Sequence, residues 1–163
     1  MTQKLLQTGL SAAVSGTVVS LTTTVVLMLL AKMEGKAPLQ PVNSTSHWLH
    51  GERAGSIRQA DMAHTVLGYG THHASAIFWA FLFEAWLSMR PPRSTLGLAR
   101  DAAATAAVAA TVDYGVMPRR LSPGWEAVLS KRSIAAAFGT MTAGLVLGAI
   151  ASRKLRQTHS GRE

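Results

Sequence analysis

The stretch LLQTGLSAAVSGTVVSLTTTVVLMLLA, residues 5–31, contains no charged residue and decides the fold class. A hydrocarbon core about 30 Å thick requires roughly 20 apolar residues of helix, and lipid cannot satisfy an unpaired backbone. Lys4 precedes the stretch as it would precede a signal-peptide core, but the stretch is too long for one and no small-residue cleavage site follows. We therefore expect a retained transmembrane helix.

Three further segments extend this interpretation. Residues 133–152 are uncharged, and residues 65–83 contain no Asp, Glu, Lys or Arg. Residues 95–118 are more polar, and we interpret them as an interior span that neighbouring helices shield from lipid. The sequence thus predicts an all-α polytopic membrane protein, a four-transmembrane-helix bundle forming a single domain over 1–163. The predicted helices span about 9–32, 57–89, 95–117 and 131–152, with a polar loop over 33–56 and a frayed tail over 153–163.

Local motifs set the bounds of the second helix. Ser56-Ile57-Arg58-Gln59 matches a capping box, which predicts a start at residue 57. Pro91-Pro92 ends the helix, because proline lacks an amide donor and disfavours helix in the residue before it. A tight turn to the third helix should follow.

The charge distribution indicates the partner. The chain has 16 Lys and Arg against 8 Asp and Glu, and the basic residues flank the apolar segments, where they contact anionic lipid headgroups. This favours a lipid bilayer and argues against nucleic acid. Four spans place both termini on one side, and the Lys and Arg count is tied between the sides. The polar loop is typical of an exported loop, so we expect a bacterial inner-membrane protein with cytoplasmic termini.

Several chemistries have no sequence signal. The chain contains no cysteine, which excludes disulfides, thiolate metal sites and a cysteine nucleophile. It also lacks a glycine-rich phosphate loop and a serine nucleophile elbow. These observations favour a non-catalytic or accessory protein.

Small residues recur at four-residue spacing in each predicted span. They let helix backbones approach closely, which matters in lipid because the hydrophobic effect does not drive helices together there. The predicted packing positions are Gly16, Ala80, Ala107, Gly144 and Gly148. The same positions could contact a second copy or a partner membrane subunit. A homo-oligomer or a subunit docked into a larger membrane complex, with purely structural histidines, is therefore an alternative.

Polar residues inside the second and third spans predict a pocket. If the two helices pack antiparallel, Asp113 lies at the depth of His72 and His73, with Tyr69 and Tyr114 nearby. A carboxylate beside an imidazole is the pairing expected when neither can be left alone in a membrane. We expect Asp113 to contact one or both histidines.

Five of the six histidines lie between residues 47 and 73. Imidazole ligates transition metals and haem, so the candidate ligands are His47, His50, His64, His72 and His73. The leading hypothesis is a pocket for a metal, haem or a polar headgroup. Histidine also relays protons, and Glu84, roughly 16 Å along the helix from His73, is a possible proton acceptor. A dimeric proton-coupled carrier is therefore a further alternative.

Overall fold

A computed structural model describes residues 2–160, and within that range the chain contains helices and no strand. This confirms the all-α prediction. The α-helices are α1 (Thr2–Met33), α2 (Gln40–Ser44), α3 (His47–His50), α4 (Leu67–Met89), α5 (Thr95–Thr111) and α6 (Lys131–Ser160). Single π-helical turns cover Met62–Val66 and Val112–Val116, and 3-10 turns cover Glu52–Ser56, Arg119–Leu121 and Trp125–Ala127.

The four long helices alternate in direction. The amino-terminal half of α1 lies beside the carboxy-terminal parts of α4 and α6, where Ser15 contacts Glu84 and Ser11 contacts Arg156. We call this end of the bundle, which also holds the turn between α4 and α5, the terminal end. The opposite end holds the segments 34–66 and 117–130 and is called the loop end.

Helix α1 is the centre of the packing. It lies against both α4 and α6, and α5 packs mainly on α6. Helices α4 and α5 touch at few positions, including a Trp86 Nε1 to Asp101 Oδ2 contact of 3.4 Å near their connecting turn. The second long helix, α4, therefore has α1 as its main partner, and not the third, α5, as predicted from the sequence.

Backbones approach closely along α1. A Cβ added at Gly148 would lie 2.5 Å from the Ser15 Cα, and one added at Gly16 would lie 2.5 Å from the Ile77 Cα. A Cβ added at Gly144 would lie 2.9 Å from the Cα of Val19. Ala80 of α4 is fully buried in the same core. Four of the five predicted packing positions thus lie where α1, α4 and α6 meet.

Ala107 is the exception, and its assignment to packing within the bundle is corrected. Its side chain is exposed, because the buried face of α5 carries Ala102, Ala106 and Ala109 instead. Adjacent helical positions point about 100° apart, so Ala107 lies at the open groove between α5 and α6 while Ala106 enters the core.

Helix bounds differ from the predictions in three places. Helix α4 begins at Leu67, after the π-helical turn, and not at residue 57. Asp61 caps that turn by accepting a hydrogen bond from the His64 amide at 2.5 Å, so the predicted capping box is wrong. Helices α1 and α6 are longer than predicted, and α6 continues through most of the predicted tail to Ser160. Residues 161–163 of that tail lie outside the described residues.

The predicted polar loop is folded. Asn43 is fully buried, donates to the carbonyls of Ile57 and Gln59 at 2.9 and 3.1 Å, and accepts from Thr65 at 2.6 Å. These bonds hold residues 40–66 as a compact layer across the loop end. An asparagine can satisfy this many backbone and side-chain groups at once because its amide both donates and accepts.

Two of the described helices, α1 and the Lys131–Thr158 part of α6, are long and apolar enough to cross a membrane. Helices α4 and α5 do not meet the same criterion of length and hydropathy.

Candidate binding cavity

A partly enclosed cavity of about 280 Å³ lies at the loop end, between α1, α4, α6 and the loop segments. Aromatic side chains form much of its wall, and two ionisable groups face it. The aromatic residues are Trp48, Trp79, Trp125 and Phe138, and the ionisable residues are His72 and Asp113.

His72 reaches the cavity from the second turn of α4. Its ring makes a hydrogen bond with the backbone of Ser20 in α1 and packs edge-on against Trp125, with ring centroids 5.7 Å apart. Its Nε2 is buried and has no hydrogen-bond partner among the described residues. An unsatisfied buried polar atom is costly, so this nitrogen is suited to a ligand.

Asp113 reaches the cavity from the π-helical turn that ends α5. Within residues 2–160 no hydrogen bond joins it to His72 or His73, so the predicted direct contact is not formed. The two groups nevertheless line the same cavity.

The other predicted pocket residues lie elsewhere. His73 stacks on Tyr69 with centroids 5.8 Å apart, and neither residue lines the cavity. Tyr114 packs edge-on against Phe138 in a groove between α5 and α6. His72 and Asp113 therefore line one cavity, and the remaining three predicted pocket residues do not.

The loop histidines hold the loop layer together. His47 makes hydrogen bonds with the carbonyls of Ser44 and Arg119, at 3.0 and 2.9 Å, and so links the two loop segments. The ring of His50 lies 4.5 Å from that of His64.

Asp61 and His64 form a close pair, with 2.8 Å between Oδ2 and Nδ1. Hydrogen bonds from the His64 amide and then from its ring lower the pKa of the Asp61 carboxyl. Because this bond occupies the His64 Nδ1 and orients the ring, the pair has a structural role at the start of the π-helical turn.

Metal binding finds no support in this arrangement. The described part of the chain contains no group of three or more His, Asp or Glu side chains placed to hold a metal ion. His72 is the one candidate ligand among the five that lines the cavity, and a metal needs several protein ligands.

The residues that close the cavity were not predicted from the sequence. Trp48 Nε1 donates to Thr71 Oγ1 at 3.1 Å, and Trp125 Nε1 donates to Thr45 Oγ1 at 3.2 Å. The first bond fixes the Trp48 ring to α4, and the second joins the two loop segments. The sequence around both tryptophans carries no periodicity that would indicate a cavity wall.

Glu84 lies at the terminal end, far from the cavity. Its side chain is buried at 6% exposure and accepts a hydrogen bond from Ser15 Oγ at 2.5 Å.

No protein-family model, curated protein or solved structure matches the chain.

Proposed function

We propose that the chain is a four-span integral membrane protein of the bacterial inner membrane with cytoplasmic termini. Large apolar side chains are exposed on all four long helices, including Leu21, Phe78, Val108 and Leu147. Exposed apolar surface on every side of a bundle is the pattern that lipid contact favours. In this proposal α4 and α5 span the membrane together with α1 and α6, and the loop layer covers the external face.

We further propose that the central cavity binds a small amphipathic ring molecule from the membrane, as a non-catalytic or accessory function. The observation that carries this proposal is the pairing of aromatic walls with the unpartnered Nε2 of His72 and the carboxyl group of Asp113. Aromatic walls bind a flat ring, and a few placed polar groups orient it. The ligand should therefore carry a hydrogen-bonding group on a ring.

The cavity volume bounds the ligand. A volume of about 280 Å³ exceeds the roughly 150 Å³ cavity that accepts benzene and lies at the lower end of small-molecule sites. One or two fused rings fit this range. A ring molecule with a polar group is favoured over a metal or haem. Among the described residues, no second metal-ligating side chain is grouped with His72.

A binding experiment with two matched probes tests the cavity. Labelled 2-naphthol carries a hydroxyl group where labelled 2-methylnaphthalene carries a methyl group. Equilibrium dialysis against the protein in nanodiscs measures their binding. Binding to protein-free nanodiscs is subtracted to give specific binding. We expect saturable 2-naphthol binding that exceeds 2-methylnaphthalene binding. His72→Ala and Asp113→Ala should each weaken it by about tenfold, the value of one good hydrogen bond.

His73→Ala is the matched control, because His73 is adjacent in sequence but does not line the cavity. It should leave 2-naphthol binding unchanged. Equal binding to protein-containing and protein-free nanodiscs, or equal losses in His72→Ala and His73→Ala, would refute the cavity as the site.

A dimeric proton-coupled carrier is the second candidate. Buried hydroxyls follow one face of α1 from the Glu84 contact towards the cavity, and the oxygens of Ser20 and Thr23 have no partner in the described structure. Such groups relay protons when water joins them. Proteoliposomes with an internal pH dye and an imposed potential would test this. Proton uptake that is abolished by both Glu84→Gln and His72→Ala would support a carrier. Absence of proton uptake would refute it.

A further inference from the structure

A second cavity lies at the terminal end, at the opposite end of the bundle from His72. It is a cleft of about 430 Å³ where the ends of α1, α4 and α6 meet. Three basic residues line this cleft, Lys4, Arg153 and Arg156, and Glu84 is the acidic residue on its wall. The lining therefore carries a formal excess of two positive charges.

The basic groups are held at defined positions. Arg156 donates a hydrogen bond to Ser11 of α1, which fixes its guanidinium between α1 and α6. Arg153 lies one turn earlier on the same helix and is half-buried. Guanidinium groups bind phosphate strongly, because their planar donors match its oxygens.

The cleft continues into an apolar groove. A space of about 990 Å³ between α1 and α6 shares Ser11, Arg153 and Arg156 with the cleft and continues to Leu10 and Leu155. Leu10 and Leu155 are 70% and 51% exposed, so an apolar chain can lie along them. A basic site that opens into an apolar groove matches the shape of a phospholipid, with the phosphate in the cleft and an acyl chain in the groove.

We propose that this cleft and groove bind one anionic phospholipid, with its phosphate among Lys4, Arg153 and Arg156. Basic pockets between helices at a membrane surface bind acidic lipid headgroups. The excess of positive charge favours a lipid with net negative charge over a zwitterionic one. The inference rests on the proposed membrane placement and is independent of the central cavity.

Native mass spectrometry of the detergent-solubilised protein provides the test, with added phosphatidylglycerol, phosphatidylcholine or inorganic phosphate. We expect adducts with phosphatidylglycerol at concentrations at which phosphatidylcholine gives few. Lys4→Gln and Arg153→Gln should each weaken phosphatidylglycerol binding several-fold. Arg93→Gln removes a positive charge at the same end, outside the cleft, and should leave binding unchanged.

The variant Glu84→Gln should change phosphatidylglycerol binding in the opposite direction. It removes the negative charge from the cleft wall and keeps an oxygen that accepts from Ser15, so phosphatidylglycerol binding should become tighter. Leu10→Ser should weaken binding of the lipid without altering binding of inorganic phosphate. Thermal unfolding of each variant separates loss of the site from loss of the fold.

Three outcomes would overturn the inference. Equal losses in Arg153→Gln and Arg93→Gln would mean that overall charge attracts the lipid. Equal binding of phosphatidylglycerol and phosphatidylcholine would remove the headgroup site. Full competition by inorganic phosphate, with no effect of Leu10→Ser, would assign the cleft to free phosphate.

Release of the protein from membranes by alkaline carbonate would instead contradict the membrane placement. Binding of 2-naphthol reports separately on the central cavity.

Discussion

At the scale of single residues, Glu34 joins the end of α1 to the start of α6. Its carboxylate accepts hydrogen bonds from the hydroxyls of Ser130 and Ser133 at 2.6 and 2.5 Å, and from the Ser130 amide at 3.0 Å. These bonds, from Ser130 first and then Ser133, lower the pKa of Glu34. A carboxylate at this position also interacts favourably with the amino-terminal dipole of α6.

Glu34→Gln should therefore reduce stability in a pH-dependent manner. A carboxyl whose pKa is lowered by folding stabilises the folded state above its ordinary pKa of about 4.3, and this contribution is lost as the pH falls through the lower folded-state value. Thermal unfolding in detergent should show a lower Tm for the variant at pH 7, and the difference should shrink as the pH falls below about 4. The exposed Glu52→Gln is the control, and a pH-independent difference would contradict the prediction.

The histidines show how far single residues could be interpreted from sequence. That His72 and His73 lie within an apolar segment beside polar partners was predictable from composition. Which of them faces the cavity was not, because two adjacent helical positions point about 100° apart and the choice depends on the neighbouring helix. The neighbour is α1, and its Ser20 backbone positions the His72 ring.

At the scale of single elements, α6 contains two glycines in contrasting surroundings. A Cβ at Gly148 would lie 2.5 Å from the Ser15 Cα, whereas a Cβ at Gly139 would meet nothing within 4 Å. Gly148→Ala should destabilise the protein by about 1–3 kcal/mol through overpacking. Gly139→Ala should be neutral or stabilise by up to about 1 kcal/mol, because alanine favours helix over glycine. Unfolding by denaturant would measure both, and equal effects would mean that α1 and α6 do not approach as described.

Substitutions on two faces of α5 can distinguish packing within one chain from packing between chains. Ala106→Leu places extra volume in the buried core and should destabilise the bundle by about 1–3 kcal/mol. Ala107→Leu alters the exposed face and should change the stability of a single copy by less than about 0.5 kcal/mol. Loss of an oligomer in Ala107→Leu alone, measured by light scattering in detergent, would support the alternative of a docking subunit. A larger loss of stability in Ala107→Leu than in Ala106→Leu would contradict the burial of α5.

The elements also show what local sequence predicts. The long uncharged runs predicted α1 and α6, and Pro91-Pro92 predicted the end of α4, because each depends on chemistry within a few residues. The start of α4 was missed, since Asp61 was available as an alternative cap and the loop layer pulls residues 57–60 into contact with Asn43. The fold of that layer depends on contacts between residues 14 to 22 positions apart, which no periodicity encodes.

At the scale of the whole molecule, the alternation of the four long helices predicts a membrane topology. Reporter fusions made after Lys36, Arg93, Arg120 and Thr158 should give two pairs: 36 and 120 on the external side, 93 and 158 on the cytoplasmic side. Opposite sides for 93 and 158 would mean that α5 does not cross the membrane. The reverse orientation of both pairs would keep four spans and contradict the cytoplasmic termini.

The same alternation could be predicted from the number of apolar segments, but the choice of helix neighbours could not. Small residues occur on several faces of each helix, so the sequence did not distinguish the buried Ala106 from the exposed Ala107. The position of the cavity follows from this choice, because its walls come from α1, α4, α6 and the loop segments. Its location is therefore a property of the assembled bundle.

The packing of α1 against α6 has a consequence for how the protein is made. The ribosome completes α1 first, yet one of its two main partners is the last helix of the sequence. Until α6 emerges, the close-packing face around Gly16, Ser15 and Val19 is covered on the α4 side alone. Contacts between distant segments form late and slow the completion of a fold. If the helices span a membrane as proposed, α1 therefore has only one of its two main partners until α6 is made. Nascent chains stalled before residue 131 should then be preferred targets for membrane proteases and insertion chaperones.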